Sequence, residues 1–132
     1  MAANRAADET QEARMRYMLL IYGDESSWGN ASEADQQAQM EKWNAYTEEL
    51  RAAGATQGGD ALRPTATATT VRLENGEPLV TDGPFAETRE QLGGYYLLDV
   101  ADLDEAIKWA QKCPGAAYGS IELRPVMEFP DA

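Results

Sequence analysis

Two segments of this chain, 16–22 and 92–100, are rich in the branched and aromatic residues that favour β-strands. Successive side chains of a strand point to opposite faces of its sheet. In the first segment both alternating sets are apolar: Tyr17, Leu19 and Ile21 on one face, Met18, Leu20 and Tyr22 on the other. The second segment repeats the pattern: Tyr95 and Leu97 oppose Tyr96 and Leu98. The fold must therefore cover both faces of the sheet that holds these strands.

Two helices are predicted. The first covers 33–53, with Ser32 as its N-cap residue and Gly54 as its C-terminal stop. Its apolar face has spacings of three to four residues and consists of Met40, Trp43, Thr47 and Leu50, flanked by Tyr46. The second begins after Asp102 and ends at Pro114. Each helix lies between two predicted strands, as expected of βαβ units.

Asn75 and Gly76 lie between two β-prone runs, 67–73 and 78–81, and this dipeptide predicts a tight hairpin. The other segments are predicted as a polar loop at 23–31 and as strands at 55–62 and 120–129. The order β-α-β, hairpin, β-α-β predicts an α+β fold, a ferredoxin-like split βαβ sheet with an inserted hairpin and both helices on one face. The opposite face needs another cover, so we expect a homodimer whose sheets pack face to face.

Charge and composition exclude several classes of function. The 132 residues carry 11 Lys and Arg against 23 Asp and Glu, a net charge of −12, and no histidine. An acidic chain matches a phosphate backbone poorly, so no nucleic-acid partner is expected. Without histidine there is no Ser-His-Asp triad and no histidine-ligated metal or haem. A single cysteine, Cys113, rules out an internal disulfide, and we expect neither a metal nor a cofactor.

The chain is expected to form one domain at 15–132, preceded by a flexible extension at 1–14 that is polar and alanine-rich. The extension lacks the apolar core of a secretory signal. The longest apolar run, 17–22, is too short to cross a membrane. These features predict a cytoplasmic protein without a membrane partner.

Charged residues cluster between two predicted strands: Asp82, Glu87, Arg89 and Glu90. Loops at strand ends are where rigid scaffolds place chemistry. In a partly apolar pocket the pKa of the Asp82 or Glu87 carboxyl would be raised, and the group would act as a general base. The bidentate guanidinium of Arg89 would hold an anion. The alternative is structural, with 82–85 forming a turn and Glu87 and Arg89 an exposed ion pair.

Further candidate ligand contacts are Glu90 and the phenols of Tyr22 and Tyr95. Tyrosines in such strands are also typical core or dimer residues. Gly93 and Gly94 do not form a phosphate-binding motif and instead predict a β-bulge or a close approach of two backbones.

The segment 82–100, DGPFAETREQLGGYYLLDV, resembles the signature of the DGPF branch of the YCII-related family. The segments 15–22, 48–54 and 121–126 fit the same family. This resemblance implies a dimeric α/β barrel of the ferredoxin-like type. It also implies an association with extracytoplasmic-function sigma factors, beside whose genes members are often encoded. The histidine–aspartate pair of the YCII branch has no counterpart in a chain without histidine.

Three functions remain open at this point. The first, which we favour, is a homodimer that binds a small anionic or polar molecule in a pocket near the 82–85 loop. The second is a lyase or isomerase with Asp82 or Glu87 as its base, although the lack of histidine counts against proton transfer at neutral pH. The third is an accessory partner of a sigma factor. The sequence does not decide whether the protein is an enzyme.

Overall fold

The computed structural model describes residues 14–130, which form three α-helices and six β-strands. In chain order these are β1 (Met15–Gly23), α1 (Glu25–Gly29), α2 (Glu33–Ala52), β2 (Thr56–Ala61), β3 (Thr69–Glu74), β4 (Glu77–Asp82), β5 (Gln91–Val100), α3 (Leu103–Lys112) and β6 (Ser120–Pro125). Short 3₁₀ turns at Thr65–Thr67 and Pro114–Ala117 precede β3 and β6. Four strands form an antiparallel sheet in the order β2-β5-β1-β6, and β3 pairs with β4 in a second sheet.

This arrangement confirms the predicted α+β fold. Helix α2 connects β1 to β2, helix α3 connects β5 to β6, and the β3–β4 hairpin is inserted between the two βαβ units. The dimeric barrel stays a prediction. Residues 1–13 of the predicted extension lie outside the described part of the chain. Within residues 14–130, no helix is both long enough and apolar enough to span a membrane.

The core lies between the four-stranded sheet and the helices α2 and α3. Leu19 of β1 and Leu98 of β5 are fully buried on the same face of the sheet. They belong to one apolar cluster with Leu50 of α2 and Ala106 of α3. Tyr46 joins the two helices, because its hydroxyl donates to the carbonyl oxygen of Trp109 at 2.7 Å. Both helices therefore cover the same face, as predicted.

The predicted helix caps are confirmed. The Ser32 hydroxyl accepts from the Asp35 N–H at 3.1 Å, and the Asp102 carboxylate accepts from the Glu105 N–H at 2.9 Å. The prediction of an unbroken loop at 23–31 was wrong, because Asp24 caps the short helix α1 there. Strand β6 ends earlier than predicted, at Pro125, where proline removes a donor from the ladder.

The predicted hairpin is also confirmed. Asn75 and Gly76 both have positive φ, 53° and 83°, as a tight type I′ turn requires. The register places four apolar residues on one face of the hairpin: Val71, Leu73, Pro78 and Val80. Val71 and Val80 are 61% and 60% exposed. The hairpin thus presents an apolar face to solvent.

The sheet face opposite α2 and α3 carries half-buried side chains at its centre, and we call it the open face. At its centre lie apolar residues of the two middle strands: Met18, Leu20 and Leu97. Around them three ion pairs form: Arg14–Asp99 at 2.9 Å, Arg16–Glu128 at 2.6 Å and Arg124–Glu122 at 2.7 Å. The open face is therefore apolar at its centre, and three arginines at its margin are paired with carboxylates.

Candidate functional site

A cavity of about 580 Å³ lies between α2 and one end of the sheet. Side chains fill little of its floor along β2 and β5, because the positions of these two strands that face α2 there are Gly59, Ala61 and Gly94. The next such position along β5 is Tyr96, which packs against the core. The cavity exists because these three positions carry almost no side chain beneath the helix. Its volume falls in the range of small-molecule sites, about 300–1,000 Å³.

Aromatic side chains from several elements line this cavity, among them Trp28 of α1, Trp43 of α2 and Tyr96 of β5. Trp43 is partly buried and packs edge-on against Tyr46, with ring centroids 6.4 Å apart. Tyr46 in turn packs edge-on against Tyr96 at 5.6 Å. The inner wall is therefore fixed by the core. Trp28 is 46% exposed and lies on the outer wall.

Two polar groups on this inner wall are held in place. The Thr47 hydroxyl donates to the Trp43 carbonyl oxygen at 2.9 Å and lies 2.6 Å from the Tyr96 hydroxyl. Since a threonine hydroxyl has one hydrogen, the Tyr96 hydroxyl is the donor in that second bond. Burial raises the pKa of Tyr96, so its phenol stays neutral. The Asn44 amide also lines the cavity and has no side-chain hydrogen bond to the described residues.

Helix α1 forms the outer wall and is tied to the rest of the fold by Glu25. The Glu25 N–H donates to the Gln91 side chain at 3.0 Å. Its two carboxylate oxygens accept from the N–H and the hydroxyl of Thr65, at 2.7 and 2.8 Å. Gln91 also donates to the Thr88 carbonyl oxygen. The wall is thereby connected to the start of the hairpin and to the loop before β5.

Asp24 stands at the start of this wall and lines the cavity. One of its oxygens accepts from the N–H and the hydroxyl of Ser26, at 2.9 and 2.7 Å. These bonds hold the pKa of the Asp24 carboxyl below its usual value, and the charge of Arg89 makes a smaller contribution in the same direction. Asp24 is therefore ionised at neutral pH.

The structure separates the predicted site residues into two groups. Tyr22 and Tyr95 line the cavity, whereas Asp82, Glu87 and Arg89 are exposed and outside its lining. Glu90, also outside the lining, accepts a hydrogen bond from the Ser120 hydroxyl at 2.8 Å. The roles proposed for these residues stay predictions.

The two tyrosines contribute to the cavity in a limited way. Tyr95 pairs in register with Leu20, so its side chain points to the open face. Its hydroxyl donates there to the Asp60 carboxylate at 2.7 Å, and this bond raises the pKa of Tyr95. Burial and the nearby Glu122 carboxylate raise the pKa of Tyr22.

Sequence reasoning missed the contribution of α2 to the cavity, namely Trp43, Asn44 and Thr47. It assigned Trp43 and Thr47 to the apolar face of the helix but not to a site. The register does shift between Ile21 and Tyr22, opposite Gly93 and Gly94, which confirms the predicted bulge. The sequence feature that corresponds to the cavity is the set of small residues, Gly59, Ala61 and Gly94, at positions that share one face of the sheet.

Two other kinds of site find no support in the described chain. Within residues 14–130, no group of three or more Asp, Glu or Cys side chains is placed to hold a metal ion. Cys113 is buried, and burial raises the pKa of its thiol to about 11. The thiol is therefore protonated at neutral pH and is a poor nucleophile.

Comparison with known proteins gives the family. The sequence model of the YCII-related domain matches residues 15–130. The chain belongs to the YCII-related family. This confirms the resemblance seen in segment 82–100. The chain is also similar to an uncharacterized protein, R00369, of Rhizobium meliloti (strain 1021), with 41% identity over 114 residues. The match covers 85% of this chain and 92% of that protein.

Proposed function

We propose that this YCII-related protein is a homodimer that binds a small polar molecule in the cavity beneath α2. The preformed cavity of about 580 Å³ carries this proposal. It combines apolar aromatic walls with a few fixed polar groups, the composition typical of small-molecule sites. The Glu25 bonds link its outer wall to the segments on either side of the hairpin, although no residue of the 82–85 loop is in the lining.

A binding role has better support than an acid–base reaction. A general base needs a carboxyl whose pKa is raised towards neutrality. Asp24, in the lining, has its pKa lowered instead. Asp82 and Glu87 lie outside the lining, exposed to solvent.

The homodimer is proposed because of the open face. The protein carries a net charge of −12, so two copies repel each other over most of their surfaces. On the open face, three of the chain's 11 basic residues pair with three carboxylates. Two copies that meet there bring together mostly paired charges, and the further carboxylate on this face, Asp60, is hydrogen-bonded to Tyr95. The same contact would bury Met18, Leu20 and Leu97.

The cavity proposal is tested with 2-phenylethanol, a neutral aromatic probe, in an NMR titration of the indole N–H signals. We expect the signals of Trp28 and Trp43, which line the cavity, to shift with a dissociation constant of about 1 mM. Trp109 lies outside the lining and serves as the internal control.

A pair of variants makes this test specific. Ala61→Leu fills the floor, because Ala61 faces α2 beside Gly94, and should abolish the shifts. Ala38→Leu makes the same change on α2 outside the lining and should leave them. Equal binding by both variants, or a response of Trp109 alone, would refute the cavity as the binding site.

A further inference from the structure

The charged residues in the cavity lining all have the same sign. Asp24, Glu25 and Asp60 are in the lining, and no lysine or arginine of the described residues is. An anionic ligand would therefore enter against a negative field, whereas a cation would be attracted. Arg89, whose charge acts on Asp24, is exposed and outside the lining.

The three carboxylates differ in how far their oxygens are already engaged in hydrogen bonds within the protein. Both oxygens of Glu25 are engaged by Thr65. Asp60 accepts from Tyr95, whose side chain lies on the open face, away from α2. Asp24 uses one oxygen for Ser26, and its second oxygen accepts no hydrogen bond from residues 14–130. Asp24 is therefore the carboxylate at the rim that is free to contact a ligand.

The aromatic walls lie next to this carboxylate. Asp24 is the N-cap residue of α1 and Trp28 lies in the same short helix, and both line the cavity. Trp43 lines the cavity from α2. A cation over a tryptophan ring is attracted by the ring's electrons. The Asp24 carboxylate and the indole rings therefore both favour a positive charge on the ligand.

We infer that the ligand is an aromatic amine, with its ring inside the cavity and its ammonium group at the rim beside Asp24. This inference rests on the proposed binding function and adds the chemical class. The ring replaces water along Trp43, Ala61 and the two floor glycines. The ammonium stays partly in water, so binding does not require complete desolvation of the charge.

The test uses three probes that share a phenyl ring on a two-carbon chain: 2-phenylethylamine, 2-phenylethanol and 3-phenylpropionate. Each is titrated into the full-length protein at pH 7 and low salt, and the Trp28 and Trp43 indole signals are followed. We expect the amine to bind about threefold more tightly than the alcohol, and the propionate most weakly.

Asp24→Asn is the decisive variant. Asparagine caps a helix as well as aspartate does, so α1 is kept and only the charge is removed. The variant should weaken the amine about threefold and leave the alcohol unchanged. Glu74→Gln removes the same charge from the exposed hairpin and should change neither affinity.

The outcomes separate the two proposals. If the alcohol binds in the cavity but the amine binds no more tightly, or if Asp24→Asn weakens both alike, the aromatic-amine inference is wrong while the binding site stands. If the propionate binds most tightly, the aromatic-amine inference is likewise wrong while the binding site stands, and Arg89 becomes the candidate contact for an anion. If none of the three probes shifts Trp28 or Trp43, the binding function itself fails.

Discussion

Gly119 lies between the 3₁₀ turn Pro114–Ala117 and β6, where the chain passes close to the end of β1. A Cβ atom at this position would overlap the Tyr22 carbonyl oxygen and lie 3.0 Å from the Gly23 Cα. The obstacle is backbone, which cannot rotate aside as a flexible side chain can. Any larger residue must therefore push β6 away from β1 beside the cavity, which both Gly119 and Gly23 line.

Gly119→Ala should lower the free energy of unfolding by about 1–3 kcal/mol, the usual cost of overpacking against fixed atoms. Gly23→Ala is the matched control, because a Cβ there meets no atom within 4 Å, and it should change stability by less than about 0.5 kcal/mol. Urea unfolding of both variants measures the difference. Equal losses would show that the close approach to Tyr22 is not what requires glycine.

Helix α1 has five residues, too few for a helix to be stable by itself. It persists because Asp24 caps it and because Glu25 bonds to Thr65 and Gln91. The outer wall of the cavity therefore depends on one glutamate. Its stability is local and can be lost without unfolding the sheet.

Glu25→Ala should release α1 from Thr65. Removing two hydrogen bonds to a carboxylate lowers the free energy of local opening, so amide exchange at 25–29 should accelerate about tenfold or more. Amide exchange in α2 should be unchanged in this variant. The control is Glu33→Ala, which removes an exposed glutamate at the start of α2 and should leave exchange unchanged in both segments. Hydrogen-exchange mass spectrometry resolves the two segments. Unchanged exchange at 25–29 would mean that Glu25 does not hold the wall.

The elements that could be predicted are those with local causes. Ser32 and Asp102 cap their helices within three residues, and Asn75-Gly76 makes its own turn. Helix α1 was missed because its main support, Thr65, is 40 residues away along the chain. Tyr46 was expected to flank the apolar face of α2, yet it is buried and joins the two helices.

The cavity could not be predicted for a related reason. It depends on Gly59, Ala61 and Gly94 sharing one face, and that requires the register of β2 on β5. The register includes an irregularity between Thr56 and Gly58, which no local pattern indicated. The cavity does not depend on a motif of fixed spacing. It depends on three aligned strand positions that carry little or no side chain.

At the scale of the whole molecule, two apolar surfaces of the described chain face solvent, the open face and the apolar face of the hairpin. An isolated two-stranded hairpin is marginally stable in water. Its exposed Val71 and Val80 would gain from burial, as would the half-buried Leu20 and Leu97 on the open face. One cover for such surfaces is a second copy of the chain.

We therefore expect a dimer at micromolar concentration, measured by size-exclusion chromatography with light scattering. Leu20→Lys places a new positive charge at the centre of a face whose arginines are already paired. Burying this charge in the dimer would cost several kcal/mol, so the dimer dissociation constant should rise about 100-fold or more. Leu103→Lys adds the same charge on α3, where Leu103 is 48% exposed, and should leave the dimer intact. A stable wild-type monomer, or equal dissociation of both variants, would exclude the open face as the dimer interface. Because the cavity lies on the helix side of the sheet, Leu20→Lys should still bind 2-phenylethanol, which separates assembly from ligand binding.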